Sequence, residues 1–128
     1  MTDPLVVAAL NARRFAFAPF SKFAVGAALE AEDGTIVTGC NVESASYGLT
    51  MCAERVAIFK GVSEGKLLFK RVAIVTDAKT LTSPCGACRQ LLWEFAPDAE
   101  VILANPAGDV KRWTMRELIP DAFDATQM

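Results

Sequence analysis

Apolar positions recur along this chain in two rhythms, one helical and one of short runs. Leu5, Ala8, Ala9, Ala12, Phe15 and Ala16 stand at helical spacing behind Thr2-Asp3 and Pro4, a proline suited to a first helical position, so residues from about 4 to 17 are predicted as a helix. Ala18-Pro19-Phe20-Ser21 breaks that pattern. Phe23 to Leu29 and Thr35 to Thr38 then read as two strands of a hairpin around an Asp33-Gly34 turn. Gly39 to Ser46 is a polar connecting loop. A second helix is expected from near Met51 to Glu64, stopped by Gly65, with Val56 and Phe59 on its buried side. Arg71 to Thr76 is a β-branched strand, and it leads to Ser83-Pro84, a capping residue and an early-turn proline opening a helix from Cys85 to Phe95. Glu100 to Ala104 reads as a fourth strand and Val110 to Trp113 as a fifth, separated by the turn Asn105-Pro106-Ala107-Gly108. Thr114 and Glu117 have capping-box spacing and start a last short helix that stops at Pro120. Helix, strand, strand, helix, strand, helix, strand, strand, helix is the order of a single mixed sheet covered by helices.

The length of 128 residues suits one domain, residues 1–128, with a core of its own. Apolar residues make up 52% of the chain and the mean hydropathy is +0.29, a value that favours burial of some surface between subunits. No apolar run approaches the roughly 20 residues of a membrane span, and Met1-Thr2-Asp3-Pro4 lacks the basic start of a signal peptide, so the expectation is a cytoplasmic protein without membrane contact. A net charge of −2 and a pI near 5.1 argue against a nucleic acid polymer as partner, since that binding scales with the number of phosphates neutralised.

Four cysteines in a chain without an export signal point to metal binding or catalysis rather than to disulfides, and the chain holds no histidine. Any metal site must therefore use sulfur or oxygen ligands, and a general base must be a carboxylate or something less usual. Cys52-Ala53-Glu54-Arg55 concentrates a thiol, a carboxylate and a guanidinium, and Cys85-Gly86-Ala87-Cys88 adds two thiols at i and i+3. If both segments open helices, three sulfurs converge where unpaired N–H groups and helix dipoles favour thiolate. Three thiolates around zinc leave one position open to water, and Glu54 lies close enough to take a proton without ligating. The same three thiolates leave an excess negative charge on the site, which Arg55 would offset by donating to the sulfurs.

Other readings of these residues stay open at this point. Cys85-x-x-Cys88 at a helix start is also the pattern of a redox dithiol, although a third thiol with an adjacent carboxylate has no use there. A closed four-cysteine structural zinc site could recruit Cys40, which otherwise reads as a small buried apolar residue at the end of a strand.

Cys52-Ala53-Glu54-Arg55 followed by Ser83-Pro84-Cys85-Gly86-Ala87-Cys88-Arg89-Gln90 resembles the small homotetrameric cytidine deaminases, whose pattern of cysteine ligands and a non-ligating glutamate is the general one of zinc deaminases. The segments 19–29, 41–47 and 117–123 resemble the same family, so the likeness covers nearly everything after the first helix. It implies a three-layer α/β/α sandwich around a mixed five-stranded sheet, a homotetramer with sites at subunit junctions, and one zinc ion per subunit held by Cys52, Cys85 and Cys88. The implied reaction is hydrolysis of cytidine or 2′-deoxycytidine to the uracil nucleoside and ammonia, in pyrimidine salvage. Glu54 would be the proton carrier, Asn41 and Glu43 would bind the sugar 3′-hydroxyl, and Phe23 would line the base pocket. The Ala53 backbone would hold the pyrimidine edge with Glu54, while Tyr47 and Phe123 would reach the ligand from neighbouring subunits. The chain departs from the family pattern at Ser44, where asparagine is common, and at Thr50-Met51, all beside the sugar loop. A deaminase of another aminopyrimidine compound, such as a nucleoside antibiotic, and a zinc-stabilised module without turnover are the alternatives.

Overall fold

A computed structural model describes residues 3–128; Met1 and Thr2, and with them the Thr2 part of the expected helix start, lie outside the described residues. The elements are α1 (Pro4–Arg13), β1 (Val25–Ala31), β2 (Ile36–Cys40), α2 (Ala53–Ser63), β3 (Phe69–Thr76), α3 (Gly86–Phe95), β4 (Glu100–Ala104), β5 (Val110–Thr114) and α4 (Met115–Leu118), with short 3₁₀ turns at Tyr47–Leu49 and Ala125–Gln127. The five strands form one sheet in the order β2-β1-β3-β4-β5. Only β3 and β4 run parallel; the other neighbours are antiparallel, which makes the sheet mixed as expected.

The strand alternation sorts side chains to two faces. Leu29, Val72 and Val101 stand in register on one face and pack with Ala57, Ile58 and Leu92 of α2 and α3. Ala28, Ala73 and Ile102 stand in register on the other and pack with Leu5, Val6 and Ala9 of α1. The result is the three-layer α/β/α arrangement. Two glycines set how closely the layers approach. A Cβ on Gly26 would meet the Ala9 carbonyl oxygen of α1 at 2.0 Å, and one on Gly39 would meet the Ala53 carbonyl oxygen and Ala57 nitrogen of α2 at 2.6 Å each. Gly39 thus seats the first turn of α2 directly on the sheet.

Three expectations need correction. Helix α1 ends at Arg13 rather than near 17, because Phe17 donates to the Asn41 carbonyl and accepts from the Glu43 N–H, a backbone bridge incompatible with a helical turn there. Phe59 is 48% exposed; α2 instead buries Ala53, Glu54, Ala57, Ile58 and Gly61, the small residues that close approach to Gly39 requires. Ser83-Pro84 does not open α3, since Cys85 is its N-cap. Gly65 does end α2: with φ at +87° it lets Lys66 donate to the Gly61 carbonyl and its own N–H donate to Val62, a Schellman closure. The Thr114–Glu117 capping box is formed in both directions. Among the described residues no helix is long and apolar enough to cross a membrane.

Candidate metal centre and adjoining cavity

Cys52 and Cys85 are the N-cap residues of α2 and α3, both with extended backbone, and neither side chain caps its own helix. Their sulfurs are therefore free to face one another, at 3.9 Å. Cys88, one turn into α3 and fully buried, brings its Sγ to 3.4 Å from that of Cys85. All three sulfurs lie within 4.8 Å of one another. Zinc–sulfur bonds of about 2.3 Å at a tetrahedral angle place sulfurs about 3.8 Å apart, so this thiol set fits zinc with one coordination position left over.

The electrostatics agree with that donor set. Its hydrogen-bonding neighbour Cys88, together with Arg55 and Cys85, lowers the Cys52 pKa against the effect of burial. The Cys88 thiol is pushed in the opposite direction, chiefly by Cys52 and by burial, as expected when several thiols share one point without a cation. Arg55 donates from Nη2 to the Cys52 Sγ at 3.5 Å, while its Nε is buried without a partner among the described residues. Glu54 is 5% exposed and burial raises its pKa, as expected of a carboxyl withdrawn from water.

Next to the sulfurs lies a cavity of about 270 Å³ whose wall includes Cys52, Ala53, Glu54, Cys85, Phe23, Asn41 and Glu43. Of the residues singled out in the sequence, these seven share one cavity. Asn41 accepts from the Val25 N–H at 2.9 Å and donates to the Phe23 carbonyl at 2.7 Å, so its amide shapes the wall while keeping one N–H and one lone pair. Tyr47 lies in a neighbouring cavity with Phe20, Ser21, Glu43 and Thr50, its ring edge-on to Phe20 at 5.8 Å. Phe123 lines neither cavity; it is exposed, on a C-terminal segment held by a bond from Gln90 to its carbonyl.

Cys40 is outside the thiol cluster. It stands opposite Gly26 in the sheet, on the face that α1 covers, and it borders a groove with Ala8, Ala12 and Phe15. Its half-burial in that groove raises the thiol pKa. A closed four-cysteine site is therefore not formed, and three convergent thiols are not the pair of a redox dithiol.

Sequence reasoning missed Ser21 and Arg89. Arg89 donates to the Pro84 carbonyl, the Ser83 hydroxyl and the Leu118 carbonyl at 2.7 to 2.8 Å, and so fixes the turn in front of Cys85. Its only signal was a position directly after Cys88. Ser21 hydrogen-bonds Glu43 across 22 positions, a pairing that only the fold reveals.

A thiolate metal site beside a buried, non-ligating carboxylate is the arrangement of a hydrolytic zinc protein. The family model of the cytidine and deoxycytidylate deaminase zinc-binding region matches residues 3–104, and the chain belongs to that family. It is 49% identical over 125 residues to the cytidine deaminase of Halalkalibacterium halodurans, covering 97% of this chain and 95% of that one. The crystal structure of cytidine deaminase from Burkholderia pseudomallei superposes with a TM-score of 0.92 at 46% identity, over 96% of this chain and 99% of that one. The chain is also 33% identical over 108 residues to blasticidin-S deaminase of Bacillus cereus, covering 78% of this chain and 76% of that one.

Proposed function

We propose that this protein hydrolyses the 4-amino group of cytidine and 2′-deoxycytidine, giving uridine and 2′-deoxyuridine plus ammonia. The observation that carries the reading is Glu54, a buried carboxylate on the wall of a nucleoside-sized cavity beside three convergent thiols that it does not complete as a ligand. Identity of 49% to a protein named cytidine deaminase, against 33% to a blasticidin-S deaminase, favours the nucleoside over the antibiotic.

Cys52, Cys85 and Cys88 would hold zinc, which when bound would supply the Lewis acidity that makes water a nucleophile near neutral pH. Glu54 accepts a proton from the attacking water as the water oxygen bonds to C4. The carboxyl passes that proton to N3, then takes the remaining proton of the new C4 hydroxyl as the C4 carbonyl forms and gives it to the amine, whose bond to C4 breaks to release ammonia. A raised Glu54 pKa suits that traffic, because a group that must both accept and donate works best with a pKa near the operating pH. Ala53, at the start of α2, offers its backbone to the pyrimidine edge, and Phe23 covers the base. Asn41 and Glu43 take the sugar 3′-hydroxyl with their remaining hydrogen-bonding capacity. Arg55 offsets the excess charge of the thiolates.

Residues 1–128 act in this reading as one domain of a cytoplasmic homotetramer in pyrimidine salvage. Support for assembly comes from aromatic side chains left exposed in a single chain, namely Phe15, Tyr47, Phe59 and Phe123. Tyr47 and Phe123 then serve sites of neighbouring subunits. The direct test is kinetic: zinc-loaded protein with cytidine, deoxycytidine, blasticidin S and free cytosine, following loss of the aminopyrimidine absorbance and release of ammonia. Turnover of the two nucleosides is expected; their survival with turnover of blasticidin S alone would assign the protein to the antibiotic, and inertness toward all would make it a binding module.

A further inference from the structure

The carboxylate of Glu43 is held from one side by a single turn of chain. Its Oε1 accepts the N–H groups of Phe20 at 2.9 Å and of Ser21 at 3.1 Å, and its Oε2 accepts the Ser21 hydroxyl. The same hydroxyl accepts the Phe23 N–H at 3.1 Å. Between them Lys22 sits at φ +60°, a left-handed conformation that costs a side-chain-bearing residue energy and persists only where the surroundings hold it. Among the described residues Ser21 is thus the one side chain that donates to Glu43 and accepts from the backbone beyond the strained residue. From Phe23 the chain of bonds continues to Asn41, so Glu43, Phe23 and Asn41 are joined through Ser21.

We propose that Ser21 is a positioning residue for the sugar: it orients the Glu43 carboxylate, and through the Lys22 turn the Phe23 side of the cavity, so that the remaining lone pairs of Glu43 meet the 3′-hydroxyl. The proposal rests on the nucleoside reading of the site. Its physical basis is the division of donors. An alanine at position 21 keeps both backbone N–H bonds to Oε1 but leaves Oε2 free to rotate into solvent, and it releases the Phe23 N–H. The Ser21 hydroxyl is also the foremost cause of the lowered Glu43 pKa, consistent with a bond donated to the carboxylate. Ser21 has no contact with the sulfurs or Glu54 among its hydrogen bonds, so the chemical step should not depend on it.

The experiment compares cytidine with 3′-deoxycytidine in the zinc-loaded wild type, Ser21→Ala, Ser21→Thr, Glu43→Ala and the double variant Ser21→Ala/Glu43→Ala. For Ser21→Ala, KM for cytidine is expected to rise roughly 10-fold with kcat within about 2-fold, the scale of one hydrogen bond to a charged group. On 3′-deoxycytidine its loss should be clearly smaller than on cytidine, Ser21→Thr should restore discrimination, and the double variant should discriminate between the two substrates no less than Glu43→Ala. Equal loss on both substrates, an unchanged KM for cytidine, or a further loss of discrimination in the double variant would overturn the proposal. Failure of the wild type to turn over cytidine would instead overturn the functional reading, and this inference with it, before any variant is compared.

Discussion

At the metal end of the cavity, Cys52 and Cys85 stand where two helices begin on the sheet, and Cys88 and Glu54 are buried. At the end proposed to take the sugar, Glu43 belongs to a loop, and hydrogen bonds from backbone N–H and hydroxyl groups hold it in place of packing. Chemistry that develops charge gains from donors fixed before the reaction, and helix starts pressed on a core provide such fixity. Recognition of a sugar tolerates, and for product release benefits from, a wall that can yield. The contrast also separates the consequences of substitution: changes at the metal end should strike the metal and kcat, changes at the sugar end KM.

The largest effect expected is that of Cys88→Ala. Removing a fully buried thiol of the cluster should abolish zinc retention after dialysis and lower activity by at least about 10²-fold, measured by metal analysis and turnover together. Zinc retained in full would mean that the site closes without Cys88. Next is Gly39→Ala, which forces a methyl group against the backbone of α2 at 2.6 Å. A loss of about 1–3 kcal/mol in urea unfolding is expected, with kcat reduced because α2 carries both Cys52 and Glu54. Wild-type stability would show that α2 shifts freely and that the metal end is less rigid than its packing indicates. Arg55→Ala removes the donor to Cys52 and should weaken zinc by roughly 10-fold in a chelator competition; unchanged affinity would remove Arg55 from the site's charge balance.

The smallest effect lies outside the cavity. Asp3 caps α1 by accepting the Leu5 N–H at 3.0 Å and pairs with Arg71. Burial raises its pKa, but the bonds from Arg71 and Leu5 outweigh this and hold it below the usual value of 3.8. A depressed folded pKa stabilises above the unfolded pKa and is lost as pH falls through the folded one. Asp3→Ala should therefore cost about 1 kcal/mol near neutrality, with the difference shrinking below about pH 4. A pH-independent difference in urea unfolding would contradict the charged cap.

Much of the metal end was legible because its signals are local: Cys52 and Glu54 are two positions apart, and Cys85 and Cys88 share one turn. The Thr114–Glu117 box and the strand Glu100–Ala104 were legible for the same reason. The face of α2 was not, because its buried side is chosen by close approach to Gly39, which selects Ala57 and Gly61 over Phe59. The end of α1 was hidden too, since a distant loop captures Phe17. Asn41, Glu43 and Phe23 entered through resemblance alone, and the bond that joins Ser21 to Glu43 spans residues with no shared local pattern. Strand order, with β1 between β2 and β3, likewise follows from packing of the whole chain.

In the proposed mechanism Glu54 moves protons beside a metal it does not bind. Zinc content and turnover of cytidine, measured on one preparation of Glu54→Gln, test it most directly. Zinc is expected to be retained at the wild-type level with kcat reduced by roughly 10²–10⁴-fold, the contribution of a lost general acid–base group. An unchanged kcat would contradict the proton-carrying role, and loss of the zinc would make Glu54 a ligand.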